Sequence, residues 1–379
     1  MKKIAVYIHI PFCSSKCYYC DFVSFPNMDN RIDQYINYLI KEMDMYKDIL
    51  EEYTIDTIFF GGGTPSYIDE KHIGRIFEYI YSNYNSSEIN EITIEANPET
   101  VTYKKLKTYK DIGINRISIG LQSTKDTILK EIGRRHTFDD FLKAYETARK
   151  AGFENINVDL IFGLPNQTVK DCIHSLDTVV ALGVEHISYY SLIIEEGTLM
   201  DKWYKEGKLK LPDEDSEREM YHRAIEFLEA KGYKHYEISN FAREGFECRH
   251  NLFYWKIKPY IGFGISSHSN IGNKRFWNYK NYNEYTSSLK NGHFPVEGKE
   301  YIDENMKMIE YMIMGLRLID GVDKKEFKDI FKVDLDDRFG MVLEKYKKQG
   351  LLTEEDGNIR FSKKGLDLSN IVYVDLLPN

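Results

Sequence analysis

A chain of 379 residues with a hydrophobic fraction of 42% is long enough for one large barrel or for two domains, and too long for a single small module. Its formal charge of −9 argues against a nucleic-acid binder, which needs a basic footprint to displace counterions. No stretch offers the roughly 18 uninterrupted apolar residues that a membrane-spanning helix requires.

Met1-Lys2-Lys3 and the apolar run behind them superficially resemble a secretion signal, but no small-residue cleavage site follows. The run reads instead as a first strand, which leads directly into Cys13, Cys17 and Cys20, spaced Cys-x3-Cys-x2-Cys. Five cysteines, three of them within eight positions, argue against a disulfide scaffold and for metal chemistry in a reducing compartment. Thiolates are soft ligands for zinc or for iron–sulfur centres. In a [4Fe–4S] cube, three protein ligands leave one iron open, and a molecule with amino and carboxylate groups, such as the methionine end of S-adenosylmethionine, can chelate it. The alternative is a structural zinc ion with His9 or another histidine as fourth ligand. Such sites usually come as two ligand pairs, and no second pair is present at suitable spacing.

Apolar, often β-branched runs at residues 4–10, 55–60, 91–96, 116–121, 155–161 and 186–194 alternate with segments of helical period. Thr137 is placed to cap a helix that Gly152 follows, Thr168 to cap the next, which Gly183 ends, and Gly113 closes an earlier one. Strand–helix repeats with continuous apolar strands predict a parallel sheet covered by helices. Polar or glycine-rich signals gather at the strand ends: Cys13 after the first, the 61–65 segment after the second, then Glu95, Gln122 and Asp159. A ring of such ends at one mouth predicts an α/β fold with an open (β/α)6 partial TIM barrel over residues 1–195.

Residues 196–294 read as an extension of that barrel, with a long amphipathic helix over 213–231 and then a stretch rich in tyrosine and asparagine. Over 295–379, helices near 305–318, 324–331 and 335–349 precede a hairpin turning at Asp356-Gly357, which predicts a winged-helix-like α+β module.

The "GGGTP" of residues 61–65 lets a backbone approach a ligand closely and expose N–H groups, though alone it is more often a turn. It lacks the Gly-Lys-Ser/Thr ending of a phosphate loop. Glu95, Gln122, Arg134 and Asp159 each have an ordinary reading as strand-end, helix-surface or backbone-satisfying groups. Together at one mouth they supply carboxylates for a ribose and a cation, and donors for a carboxylate, which an arginine can grip with two parallel bonds.

"YIHIPFCSSKCYYCDF" resembles the signature of the radical S-adenosylmethionine superfamily. More narrowly, the chain is similar to the branch that holds oxygen-independent coproporphyrinogen III oxidase and the HemW-type heme chaperones, from Tyr7 through the C-terminal module. The resemblance implies a [4Fe–4S] cluster on Cys13, Cys17 and Cys20. It implies that Gly62, Gly63 and Thr64 meet the amino group of S-adenosylmethionine. Glu95, Gln122, Arg134 and Asp159, in "TIEANPE", "SIGLQS", "GRRH" and "VDLIFGLPNQT", become further ligands, and Tyr7 and Tyr19 the aromatic neighbours of cluster and ligand. The chemistry so implied is one-electron reduction of the sulfonium to methionine and a 5′-deoxyadenosyl radical, with a low-potential electron donor as partner.

His250-Asn251-x2-Tyr254-Trp255 resembles the His-Asn-x-x-Tyr-Trp motif linked with heme in HemW-type chaperones. An imidazole can ligate heme iron, and Tyr254 and Trp255 can pack on a macrocycle. Residue chemistry alone favours a hydrogen-bonded histidine under an aromatic loop; the resemblance reverses that preference. Cys248 is a further soft donor, and Cys172 reads as a packed thiol. Two departures separate the chain from the oxidase: Phe22 stands where the oxidase has a fourth cysteine, and Tyr7 lies near the start where the oxidase carries a preceding segment. The expected function is therefore a heme chaperone that accepts heme and delivers it to hemoproteins, respiratory ones among them. The expected setting is cytoplasmic, peripheral to a membrane through a partner, with a homodimer left open. The oxidase itself, or another radical enzyme acting on a porphyrin, is the alternative, and a zinc-stabilised interaction protein the third reading.

Overall fold

The computed structural model describes residues 1–378. Six strands, β1 (Lys2–Ile10), β2 (Tyr53–Gly62), β3 (Glu91–Ala96), β4 (Arg116–Gln122), β5 (Asn155–Phe162) and β6 (His186–Ser191), lie side by side in chain order and all parallel. Helices α1 (Ile32–Met45), α2 (Glu70–Asn83), α3 (Tyr103–Asp111), α4 (Phe138–Lys150) and α5 (Val169–Ala181) connect them. The helix ends follow local chemistry. Thr137 with Asp140, and Thr168 with Asp171, form reciprocal capping boxes on α4 and α5. Gly152, at φ +93°, supplies the left-handed residue beyond α4.

The sheet continues past both edges of this barrel core. Beyond β6 run two antiparallel strands, of which β7 (Lys234–Glu237) is outermost and β8 (Asn240–Ala242) pairs with β6. On the other side β9 (Tyr260–Phe263) pairs with β1 as a seventh parallel strand, followed by antiparallel β10 (His268–Ile271), β11 (Lys274–Asn278) and β12 (Val296–Tyr301). The order is β12-β11-β10-β9-β1-β2-β3-β4-β5-β6-β8-β7, twelve strands in all.

The core strands are buried on both faces, but they are not continuously apolar as expected. Ile92, Ile94, Ile117, Ile119, Ile156, Val158 and Leu160 belong to one hydrophobic core. The residues between them, Glu91, Thr93, Glu95, Arg116, Ser118, Asn157 and Asp159, are polar, and side chains from β4, β5 and β6 bond across the lumen. Branched apolar side chains usually fill a TIM barrel. Polar groups in that place demand mutual hydrogen bonds or a ligand.

Downstream, α6 (Glu214–Ala230) packs against α5, and a short α7 (Arg249–Trp255) precedes β9. The C-terminal module has its own core around Ile309, Met312, Leu343 and Ile359. Its elements run α8 (Glu304–Gly315), β13 (Val322–Asp323), α9 (Lys324–Phe331), α10 (Leu335–Lys348), β14 (Leu352–Glu355) and β15 (Asn358–Phe361), with the sheet ordered β13-β15-β14. The three helices and the hairpin come in the order expected for this segment; β13, which joins the hairpin, is not among the expected elements. Asp356 and Gly357, at φ +53° and +83°, make the hairpin turn. No described helix is long and apolar enough to cross a membrane.

Candidate functional site

The cysteine loop leaves β1 at the mouth of the barrel and is tied down on three sides. Phe12–Cys13 pairs with Phe25–Pro26 in a short parallel ladder that closes the loop on itself. The Tyr18 N–H donates to the Ile132 carbonyl at 3.1 Å, and the Tyr18 carbonyl accepts from the Met200 N–H at 2.9 Å. Gly63 and Thr64 donate their N–H groups to the carbonyls of Ile10 and Phe12, each at 2.9 Å, which pins the end of β2 beneath the loop.

Cys13 is buried with its Sγ 3.0 Å from Thr64 Oγ1, while Cys17 and Cys20 are half-buried. Arg134 Nη1 approaches Cys17 Sγ at 3.7 Å. Burial pushes the Cys20 thiol up to about 11, with the Cys17 sulfur adding to it, and a bound metal would reverse that preference by taking the thiolate. Tyr19, half-buried beside Cys17 and Cys20, has its hydroxyl raised by burial and then by the Cys17 sulfur. Among the described residues, no three His, Cys, Asp or Glu side chains are closed at the spacing a single metal ion would impose.

Next to the loop lies a group of polar atoms that the protein leaves unpaired. Gln122 ends β4 at φ +66°, and its amide turns back over Gly120 beside the Arg134 guanidinium; a Cβ on Gly120 would stand 3.1 Å from Arg134 Nη2 and 3.2 Å from Gln122 Nε2. Arg134 Nη2 donates to the Gly120 carbonyl at 2.6 Å and to Asn97 Oδ1 at 2.8 Å, and Asn97 Nδ2 donates to Thr64 Oγ1 at 3.0 Å. Gln122 Oε1 and Arg134 Nε are buried without a partner. A buried polar atom left unpaired costs about 1–3 kcal/mol, which a ligand can recover.

Deeper in the lumen, Glu95 accepts the Gly62 N–H at 3.2 Å. Burial pushes its carboxyl up to about 8, and the facing Asp159 adds to the shift. Asp159 is also raised by burial, although Ser118 Oγ at 2.9 Å and Asn157 Nδ2 at 2.8 Å hold it. Two buried carboxyls facing one volume favour a cation between them. The glycine loop behaves differently from expectation, since the N–H groups of Gly62, Gly63 and Thr64 are all spent inside the protein. Tyr7 borders the same volume, its hydroxyl 3.1 Å from His9 Nδ1.

The residues expected to touch heme lie on α7, at the opposite end of the lumen. His250 is 1% exposed. Its Nδ1 is 2.9 Å from Thr57 Oγ1 and its Nε2 is 2.8 Å from the Tyr254 hydroxyl, so both ring nitrogens are engaged. Burial, and then Arg116, push the imidazole down to about 3 and keep it neutral. Cys248 is buried against Glu91, which also accepts the His250 N–H at 3.0 Å. Asn251 and Trp255 are partly exposed. Trp255 lines a cavity of about 480 Å³ against the C-terminal module, together with Leu252, Tyr311 and Leu318. Cys172 is a buried thiol on α5.

Sequence reasoning missed Asn97, which joins the cluster loop to Arg134, and the polar lumen residues Thr57, Ser118, Asn157 and His186. For Asn157 the signal is the strict alternation in "NINVDL", where polar and aliphatic residues trade places at period two.

A model of the radical SAM superfamily matches residues 7–179, and one of the HemN C-terminal domain matches residues 302–368. The heme chaperone HemW of Bacillus subtilis (strain 168) is 38% identical over 370 residues, covering 97% of this chain and 98% of that protein. The heme chaperone HemW of Lactococcus lactis is 34% identical, covering 99% and 98%. Coproporphyrinogen III oxidase (HemN) from Escherichia coli, a radical SAM enzyme, superposes with a TM-score of 0.86 at 22% identity, over 99% of this chain and 90% of that one. At that identity the superposition establishes the fold.

Proposed function

Because the chain belongs to the HemW family of radical SAM proteins, we propose that it is a heme chaperone: it takes up heme as cargo and passes it to hemoproteins. Cys13, Cys17 and Cys20 would hold a [4Fe–4S] cluster and leave one iron without a protein ligand, available to S-adenosylmethionine. The cluster would supply an open iron for the amino and carboxylate groups and a low-potential electron that the sulfonium accepts. The chain's own residues bind and orient. Arg134, with its unpaired Nε, and Gln122, with its unpaired Oε1, sit where a ligand carboxylate and amine would approach the cluster loop. Glu95 and Asp159 receive the cationic and ribose end, Tyr7 and Tyr19 flank the ligand, and Gly62, Gly63 and Thr64 let it approach the strand end. With their N–H groups spent, those three residues have only oxygen acceptors left to offer, the polarity an ammonium group needs, and those of Thr64 already accept from Tyr67 and Asn97.

The carrying observation is near-full-length kinship with heme chaperones at 38% identity. Phe22, 63% exposed beside the cluster loop, supports the reading against the oxidase. For heme, Asn251, Tyr254 and Trp255 are the partly exposed motif residues, whereas buried His250 would reach a macrocycle only after giving up its hydrogen bond to Tyr254. The reading extends to three parts (residues 1–195, 196–294 and 295–379), respiratory recipients, a low-potential electron donor, homodimerisation, and a cytoplasmic setting with membrane contact through a partner.

The test is anaerobic reconstitution followed by heme titration and transfer to an apo-hemoprotein. Stoichiometric heme uptake and transfer is the expected result, with no protoporphyrinogen formed from coproporphyrinogen III under reducing conditions. Formation of protoporphyrinogen would replace this reading with the oxidase.

A further inference from the structure

Helix α7 divides the His-Asn-x-x-Tyr-Trp motif between two surroundings. His250 and Tyr254, four residues apart, share the face turned into the barrel lumen, while Arg249, Leu252 and Trp255 line the cavity against the C-terminal module. On the inner face a column of rings runs up the barrel wall. Tyr254 meets His250 edge-on, with centroids 5.2 Å apart, and His250 lies 5.1 Å from Phe59. Phe59 stacks at 6.3 Å on Tyr7, and Tyr7 lies 6.0 Å from His9. His9 Nε2 then reaches the Val23 carbonyl of the cluster loop at 2.8 Å.

This column backs directly onto the glycine loop. A Cβ on Gly61 would stand 3.0 Å from the Tyr7 ring, 3.1 Å from Phe59 and 3.1 Å from Glu95 Oε2; one on Gly62 would stand 2.5 Å from the His9 ring. There is no slack between the rings, the loop and the Glu95 carboxylate. A second route runs through hydrogen bonds. The Cys248 N–H donates to the Tyr236 hydroxyl at 3.2 Å, which is 2.8 Å from His186 Nε2. His186 Nδ1 is 2.6 Å from Asn157 Oδ1, and Asn157 holds Asp159. The base of α7 is thus linked to both lumen carboxyls, through rings to Glu95 and through hydrogen bonds to Asp159.

We propose that His250 is a positioning residue of the S-adenosylmethionine pocket: fixed between Thr57 and Tyr254, its ring sets the height of the Phe59–Tyr7 column against which Gly61, Gly62 and Glu95 rest. The inference rests on the reading of Glu95 and the glycine loop as S-adenosylmethionine ligands. It assigns the conspicuous histidine of the motif to the cofactor rather than to the cargo.

The experiment uses the anaerobically reconstituted full chain and three readouts: S-adenosylmethionine affinity by equilibrium dialysis, the change in the reduced-cluster EPR signal on adding S-adenosylmethionine, and heme affinity by titration. His250→Ala is expected to weaken S-adenosylmethionine binding about tenfold, the scale on which small misplacements act, and to shrink the EPR change. His250→Gln, whose amide can bond to both Thr57 and Tyr254, is expected to recover most of both. Phe59→Leu, which thins the column without touching a hydrogen bond, should resemble His250→Ala. Heme affinity in Phe59→Leu, which leaves the motif intact, should stay within about twofold of wild type. If His250→Ala does not fold, His250→Gln and Phe59→Leu decide alone. Wild-type S-adenosylmethionine affinity in Phe59→Leu, or in His250→Ala with heme binding lost, overturns the proposal. A wild-type protein that shows neither S-adenosylmethionine affinity nor an EPR change removes the cofactor reading itself.

Discussion

Replacing Glu95 by Gln tests the electrostatic centre of the pocket. The carboxyl is pushed up to about 8 by burial and by Asp159, so in the empty protein it is mostly protonated at neutral pH. From roughly 3% ionised at pH 6.5 it becomes about three quarters ionised at pH 8.5. If the carboxylate is the form that binds a sulfonium and ribose, affinity rises by at most about twenty-five-fold over that interval. The ligand's own amino group also titrates near 8, but it does so equally with both proteins, so the difference between wild type and Glu95→Gln isolates Glu95. His9 and His250, pushed down to about 4 and about 3 by burial, stay neutral throughout. The amide can still accept the Gly62 N–H, and loss of a charged partner costs about 1.5–3 kcal/mol, or roughly ten- to a hundredfold at pH 8.5. The same residue sets a stability slope without ligand. Between its unfolded value and about 8 the folded chain keeps a proton that the unfolded chain has lost, so stability falls as pH rises through that window and levels off above it. Titration calorimetry at four pH values, with thermal melts alongside, measures both effects. Parallel pH profiles for wild type and Glu95→Gln would refute the assignment of this carboxylate to the cation.

Gly62→Ala should destabilise the protein by about 2–3 kcal/mol, because the backbone sits at φ +111° and the new Cβ would stand 2.5 Å from the His9 ring; Gly183→Ala, at φ +75° with open space around it, is the control at about 1 kcal/mol by denaturant midpoint. Glu42→Ala should cost at least about 3 kcal/mol, since it strands the Gly264 N–H at 2.8 Å, the Asn278 amide at 2.5 Å and the Tyr285 hydroxyl at 2.5 Å. Burial holds the Glu42 carboxyl up at about 7, so Glu42→Gln should remove a decline in melting temperature as pH rises toward 7. Cys17→Ser should give protein without a full complement of iron and with weakened brown absorbance, but with a far-ultraviolet circular dichroism spectrum like that of wild type, because Cys17 itself is half-buried and outside the hydrophobic core.

What the sequence made legible was local. Thr137, Thr168 and Asp356-Gly357 announce their helix starts and hairpin within a few residues of themselves, and the structure adds Asp140 and Asp171 as the reciprocal halves of the two caps. The cysteine spacing is equally self-contained. What escaped depends on partners far along the chain. Strand β9 is four residues long and glycine-bearing, and becomes a parallel strand only through β1, some 250 residues earlier. The place of α7 beneath the lumen is set by Glu91, 159 positions from the residue whose N–H it accepts. Asn97 shows nothing in sequence, and only the fold sets it between Thr64 and Arg134. The inward polar residues were hidden for another reason: a strand buried on both faces reads as one apolar run unless its alternation is followed residue by residue.

The charged groups give the pocket a direction. Arg134 lies against Cys17 at the loop, with Gln122 beside it, whereas Glu95 and Asp159 lie deeper in the lumen, both raised by burial, and Asp159 adds to the shift of Glu95. A ligand carrying a carboxylate at one end and a cation further along fits only one way round. Its anionic end meets the guanidinium beside the cysteines, and its cation relieves the two carboxyls. Reversed, the carboxylate would enter a volume lined by two acids, and the cation would meet an arginine. On the proposed reading, orientation is therefore built into the barrel wall, and it would turn the chelating end of the ligand toward the three thiols.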